Sequence, residues 1–420
     1  MQALSFGYTL RKTKTEPKGS VLGKGEFIMK EYLVTDFGIS ADSDAMQTEA
    51  FQRVFDLCRD GGGTVVVPAG QYCISGVRMW SDTTLLLKSG AVLLGSTECS
   101  DYPVFEVPEG VEMRSDLELI TQYYQYSFAP DAPFWQNYRR AMISAYGEKN
   151  IAILGEPGSV IDGQDCYDAD GEEGYRGPHG IYITNCEAVT LRGYTAQHSG
   201  NFMHQLDNCL HTVMEDVICL GASDGIHLHC CRDTRIENCT FRTGDDCIAG
   251  INVEDLLVKN CYLNTSCNFF RIGGSRITVE DCEMRGDGYY PHRQTIVKSR
   301  DEILPREAGR HNTLCLVDYF ASANFPAEPS RDIVFRRCEM DNFDRLLAYN
   351  ANSPYLQMGT YLAEMTLEDV TIENIKTTAS ICTDDVQPFT LNLRRVKVSG
   401  GCDAATLVED ENNNTTVNVG

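Results

Sequence analysis

The 420-residue chain reads as an all-β protein, a right-handed single-stranded parallel β-helix with an N-terminal capping helix. Three observations predict this. Short runs of alternating apolar and polar residues recur at a nearly constant step. No helical pattern separates them. One amphipathic helical stretch stands at the N-terminal end of the series.

The repeated runs are Val189–Gly193, His211–Val217, Thr234–Cys239, Leu256–Cys261 and Arg276–Cys282. From the second run on, each closes on Val or Cys after Asp or Asn. The closing residues fall at 217, 239, 261 and 282, so the steps are 22, 22 and 21. Each run is too short for an average helix and alternates as a strand does. Strands at this step with no helix between them indicate a solenoid. Coils stack at the inter-strand spacing of about 4.8 Å, so like residues should lie above one another. Val217, Cys239, Cys261 and Cys282 should form an interior ladder, and Asn238 and Asn260 a neighbouring ladder at a turn. Similar runs return at Ile333–Cys338, Met365–Val370 and Leu391–Val396, with loops between them. An antiparallel sandwich with irregular strands is the competing reading, and the near-constant step speaks against it.

A solenoid needs its open end covered. Residues 44–59 are expected to do this as a helix, with Asp44 as N-cap and Gln47 three residues on. Ala50, Phe51, Val54, Phe55 and Cys58 would share its apolar face. Gly61–Gly63 would stop it, and Thr64–Val67 would begin the strands. The polar stretch Glu409–Asn414 reads as the other end. Residues 1–30 are expected to be an extension and 31–420 one domain. Two loop insertions are expected, near 104–145 and 285–330. The first is rich in aromatics. The second holds Tyr289, Tyr290, His292, Arg293, Lys298, Arg300 and Arg310. Such loops either pack their own side chains or wall a cleft.

Lys and Arg number 36 against 60 Asp and Glu, a formal charge of -24. This argues against nucleic-acid or anionic-membrane partners, which need a basic face. No window approaches 18 apolar residues, the length of a membrane span. The 18 cysteines include no Cys-x-x-Cys pair, so zinc ribbons and thioredoxin-like sites are not indicated. Many lie inside strand patterns, where a free thiol behaves as a small hydrophobe. With no apolar leader at the N-terminus, a reducing cytoplasm is the expected location.

Asp224 lies in Ala222-Ser223-Asp224-Gly225, and Asp245 and Asp246 in Gly244-Asp245-Asp246-Cys247. The step from 224 to 245 is 21, one coil. Three carboxylates would then crowd together, and at least one pKa should rise. A glycosidase needs such a set, with one carboxyl protonated for the leaving oxygen and another ionised to act on water or the sugar. Asp-Gly and Gly-Asp-Asp are also common turn sequences, and clustered carboxylates can hold Ca²⁺. The stacking of like charges favours the catalytic reading.

These residues resemble the polygalacturonase-like glycoside hydrolases of family twenty-eight, of the bacterial, pectin-lyase-like kind. Asp36-Phe37-Gly38, Gly61–Gly70, Gly90–Ser96, Asp101-Tyr102-Pro103 and Ile161-Asp162-Gly163 carry the likeness. The family's four catalytic motifs are Asn-Thr-Asp, Gly-Asp-Asp, Gly-His-Gly and Arg-Ile-Lys. Here Ser223-Asp224 keeps the aspartate of the first, and Gly244-Asp245-Asp246 keeps the second whole. The resemblance implies Asp245 as general acid, with Asp224 and Asp246 holding the attacking water for inverting hydrolysis. Cys267 stands where the third motif has histidine. Lys298, with Arg300 near, is what remains of the fourth, and Arg271 is a candidate replacement for the missing arginine. His204 and His179 resemble residues near the family's substrate site, although for His204 a structural role is an equal reading. His227 and His229 share one strand face. The expected partner is an oligosaccharide of galacturonate or galactose type, and no cofactor or metal is expected. A β-helix lyase or epimerase and an inactive carbohydrate-binding protein are the alternatives.

Overall fold

The computed structural model describes residues 30–104, 139–299, 302–321, 328–353, 356 and 359–420. The aromatic insertion lies almost wholly outside these residues, as does the N-terminal extension. Arg300 also lies outside them.

The chain winds into a right-handed parallel β-helix of two long parallel sheets. The step read from the sequence is the pairing register. Leu191 pairs with Met214, then Ile236, Val258, Val279, Phe335, Leu367 and Leu393 follow in one column. This column is buried throughout and forms one wall of the core. Opposite it, Cys219, Phe241, Leu263, Met284 and Met340 make another. Val217, Cys239, Cys261 and Cys282 are all buried, and Cys338 joins them.

The acidic or amide residue before each closing position has a backbone reason. Asp216, Asn238, Asn260 and Asp281 have φ of 54°, 57°, 51° and 56°. Asn and Asp tolerate this left-handed region better than most side chains. The stack also bonds to itself, with Asn260 Nδ2 donating to Asn238 Oδ1 at 2.7 Å.

Both ends differ from the expectation. The cap helix spans Thr48–Asp56, not 44–59. Residues 43–46 form a strand instead, because they pair with the chain around Tyr72 and Cys73 in the first coil. The Gln47 side chain serves the Ser40 backbone, and no side chain caps the helix. Phe51, Val54 and Phe55 still seal the core, with Phe51 edge-on to Tyr72 at 5.9 Å. At the far end, residues 409–414 feed one more strand, Thr415–Val419, onto Phe389–Arg394. Asp410 fixes that turn by accepting from Thr383 and Asn414. No helix of the described residues is long and apolar enough to cross a membrane.

The column predicts its own energetics. Ile236→Ala should cost about 2–5 kcal/mol in chemical denaturation, because neighbours above and below cannot close the hole. Arg235→Ala, on the outward face beside it, should change stability by less than about 0.5 kcal/mol.

Candidate active site

One flank of the larger sheet carries the candidate residues. Its strands are β1 (His179–Thr184), β2 (His204–Asp207), β3 (Ile226–His229), β4 (Ile248–Lys259), β5 (Asn268–Glu280) and β6 (Cys315–Tyr319). Their outward side chains form a row of Tyr182, Gln205, His227, Ala249, Arg271 and Asp318. The turns that precede these strands stack as well. Gly225 N donates to Asp246 O at 3.0 Å, and Cys247 N to Asn268 O at 3.1 Å.

That stacking brings Asp224, Asp245 and Asp246 together, with one carboxylate oxygen of each within 4.8 Å of the others. All three are buried, at 3%, 6% and 2% exposure. Their surroundings differ. Asp245 Oδ2 accepts from Arg176 Nη2 at 2.9 Å, and its Oδ1 lies 3.7 Å from His292 Nε2. Burial alone would raise its pKa. The charges of His292, Arg176 and Arg271, with a bond from Cys267, outweigh that and bring it to about 2. Asp246 Oδ1 accepts from Asn268 N at 3.2 Å and Nδ2 at 2.8 Å. Burial, then the Asp245 charge, still raise its pKa to about 7. Asp224 is pushed well above the usual carboxylate range by burial and by both neighbours. At neutral pH Asp245 is ionised, Asp224 holds a proton and Asp246 is part-protonated. This resting order is the opposite of the one the motif assignment implies.

Other candidates distribute unevenly. Arg271 lies in the outward row beside the carboxylates, its guanidinium 4.5 Å over Phe320 and 3.8 Å from Asp318. His179 is buried against Tyr182 and Phe202 on the same flank. His204 does not face a ligand, which corrects the substrate-contact expectation. Its ring points into the core and is fully buried. Its Nε2 meets the Tyr194 hydroxyl at 3.0 Å, and its Nδ1 meets Gly225 O at 2.9 Å. Burial lowers its pKa to about 4, so it ties β2 to the Asp224 turn as a neutral ring. Lys298 is exposed on the hairpin formed by Val297–Ser299 and Glu302–Ile303. Val297 beside it packs with Tyr167 and Tyr175. His227 and His229 share the β3 face, bound to Gln205 and Asp207 of the previous coil.

Three site residues were missed. Asn268 stands at 246 + 22, so the repeat step alone could have found it. Arg176 comes from a loop before β1 and is held by Glu173 and Asn201 besides Asp245. Only its place in Arg176-Gly177-Pro178 marked it. His292 was read as part of a loop wall, not as a neighbour of Asp245. Its loop seats Pro291 against Gly244, where any Cβ would strike the Pro291 carbonyl. Arg293 pins the same loop through Gly200 O and Asp165. The rung expected to lack histidine therefore has Cys267 from the coil and His292 from the insertion. A separate cavity of about 630 Å³ near Gln47, Thr48, Arg53 and Asp101 lies at the N-terminal end of the solenoid, with no part in this cluster.

Fold and site together define a parallel β-helix with a buried three-carboxylate centre on its flank. Residues 128–273 match the profile of the glycosyl hydrolases family 28, and the chain is polygalacturonase-like. It is 27% identical over 229 residues to a probable polygalacturonase of Vitis vinifera, covering 51% of this chain and 43% of that protein. It is 26% identical over 301 residues to an exo-poly-alpha-D-galacturonosidase of Dickeya chrysanthemi, covering 59% and 46%. The chain thus spans less than half the length of these curated relatives. The solved structure of a family 28 exopolygalacturonase from Yersinia enterocolitica superposes with a TM-score of 0.63 at 18% identity, over 93% of this chain and 75% of that one. That likeness shows the fold.

The crowded carboxyls carry a stability cost with a definite sign. Asp246 has a raised folded pKa, so the native state binds a proton that the unfolded state has released. Wild-type stability should fall as pH rises from about 4, the unfolded carboxylate value, to about 7. Asp246→Asn, which keeps an acceptor for Asn268, should remove the Asp246 share of that fall and leave the share of Asp224, whose pKa is raised as well. Its advantage in thermal unfolding should open across this window, reach the order of a few kcal/mol, and level off above it.

Proposed function

We propose that the chain hydrolyses glycosidic bonds of oligosaccharides built from galacturonate- or galactose-type sugars. The observation that carries this is the buried carboxylate triad, whose members differ in protonation while lying within 4.8 Å. Hydrolysis needs one proton given to the leaving oxygen and one taken from water. Asp224 and Asp246 oxygens at this separation suit a single water bridging them, each contact about 2.8 Å. The gap is shorter than the roughly 6.5–9.5 Å of a two-carboxylate inverting pair. Asp245 lies equally close to both, so the spacing does not set the stereochemistry. Inversion, with Asp245 as donor, is taken from the resemblance of the motifs.

For Asp245 to donate, its hold on Arg176 must loosen. A sugar carboxylate entering between Arg271 and Arg176 competes for that guanidinium. Asp245 then gains the proton that its neighbours hold at rest. This favours acidic sugars and agrees with the names of the curated relatives. The basic groups of the cleft are local, set against an overall charge of -24. The 18 free cysteines, Cys99 and Cys166 among them with Sγ atoms 3.3 Å apart, suit a reducing compartment such as the cytoplasm.

On pectic oligosaccharides or aryl glycosides, Asp245→Asn and Asp246→Asn should each lower the rate by about 10²–10⁴-fold with unchanged circular dichroism. Near wild-type rates in either variant would remove these residues from the mechanism. Proton NMR of the first-formed sugar should show the inverted anomer. An unsaturated product absorbing in the ultraviolet would instead indicate a lyase. The wild-type rate should also decline as pH rises through about 7, where the cluster loses its proton.

A further inference from the structure

Asp245 belongs to a second cluster that hydrolysis does not explain. One donor atom each of Asp245, Cys267 and His292 lies within 4.8 Å of the other two. The three arrive from separate parts of the chain. Asp245 sits in the turn before β4. Cys267 lies one coil on, before β5, with its N–H donating to Thr265 Oγ1 at 2.9 Å and its carbonyl accepting from Leu314 N at 2.7 Å. His292 comes from the insertion. Its N–H donates to Arg310 O at 2.9 Å, and its carbonyl accepts from Thr295 N at 3.0 Å and Thr295 Oγ1 at 2.6 Å. The backbones of Cys267 and His292 are thus fixed without using either side chain.

The donor set is one thiol, one imidazole and one carboxylate, and all three are ligands of zinc-like ions. Around a tetrahedral ion with bonds of about 2.0–2.3 Å, donors sit about 3.3–3.7 Å apart. His292 Nε2 and Asp245 Oδ1 are already 3.7 Å apart. His292 Nδ1 is buried without a hydrogen-bond partner, so no bond there holds the ring away from an ion. Arg176, Arg271 and Arg310 are close enough to act on these groups and oppose a dication. Against them stand Asp245, ionised at rest, and the thiolate that forms on binding.

We propose that Asp245, Cys267 and His292 form a binding site for a thiophilic divalent cation, zinc or cadmium, and that the ion blocks the reaction centre by occupying Asp245. The binding stands on the donor geometry alone, while the blocking rests on the hydrolase reading above. Binding exchanges the Cys267 thiol proton for the metal: the S–H bond breaks, an S–metal bond forms and one proton leaves to solvent. Burial and the two aspartates hold that thiol protonated. Only an ion with strong affinity for sulfur displaces the proton, so calcium and magnesium, which take oxygen ligands, gain nothing from it.

Cadmium titration of the full chain, read by the ultraviolet cadmium–thiolate absorption, tests the site directly. The expected result is one equivalent bound, unaffected by excess calcium. The absorption should vanish in Cys267→Ser. In His292→Ala, which alters a loop side chain and not a coil, affinity should fall at least about tenfold. Loss of both partly exposed thiols, in Cys73→Ser with Cys402→Ser, should leave the signal intact. An undiminished signal in Cys267→Ser, or its loss in the Cys73/Cys402 variant, would overturn the site. Zinc should also inhibit turnover at the concentration that fills the site. Full occupancy with an unchanged rate would refute the block and leave the hydrolase reading standing. A protein that binds cadmium through Cys267 yet hydrolyses no glycoside would do the reverse.

Discussion

Everything on the flank of this molecule depends on the backbone ladder that locks one coil above the next. Parallel hydrogen bonding fixes the vertical spacing at about 4.8 Å and leaves no freedom of register wherever one face is buried. Where no loop intervenes, a residue 21 to 23 positions on is therefore a neighbour by necessity. In the core this necessity is favourable, because Leu191, Met214, Ile236 and Val258 each gain apolar contacts from the repeat. At the turns it is neutral, since Asn238 and Asn260 satisfy one another. At Asp224 and Asp246 the same geometry sets charge upon charge.

The cluster survives because its neighbours divide the labour. Arg176 reaches in from outside the repeat to neutralise Asp245. Asn268, one rung below Asp246, offers it two N–H donors. What these groups do not compensate is met by retaining a proton, which is cheaper than burying a third charge. Under the proposed function, a site of this kind trades folding stability for reactivity. It is poised because the solenoid does not let the carboxyls move apart.

The repeat was legible because it is written in the sequence at constant step, and so were the consequences of that step. The ladder of Val217, Cys239, Cys261 and Cys282 follows from subtraction of residue numbers. So does the meeting of the aspartates, although the register at this turn is 22 and stacks Asp224 on Asp246, not on Asp245 as a step of 21 suggested. The cap helix was legible in its apolar face but not in its start, since pairing near Tyr72 claims residues 43–46 as strand. His204 misled because its place in the series said which coil it occupies and not which way its ring points. Strand alternation sets it inward beside Tyr194. Arg176 and His292 were hidden for a deeper reason. Both arrive on loops whose path no periodicity encodes, and their contacts with Asp245 span 69 and 47 residues. Loops that break a repeat are thus where the individual chemistry of a solenoid resides.

The central claim is that coil stacking forces the three carboxyls to share protons unequally. Carbon-13 NMR titration of aspartate-labelled protein, assigned with single Asp→Asn variants, measures this most directly. The account requires Asp246 to titrate near neutrality, at about 7, and Asp245 to stay ionised down to about 2. If all three instead titrate together near about 3.9, the ordinary aspartate value, the carboxyls are not crowded in solution and the account is wrong.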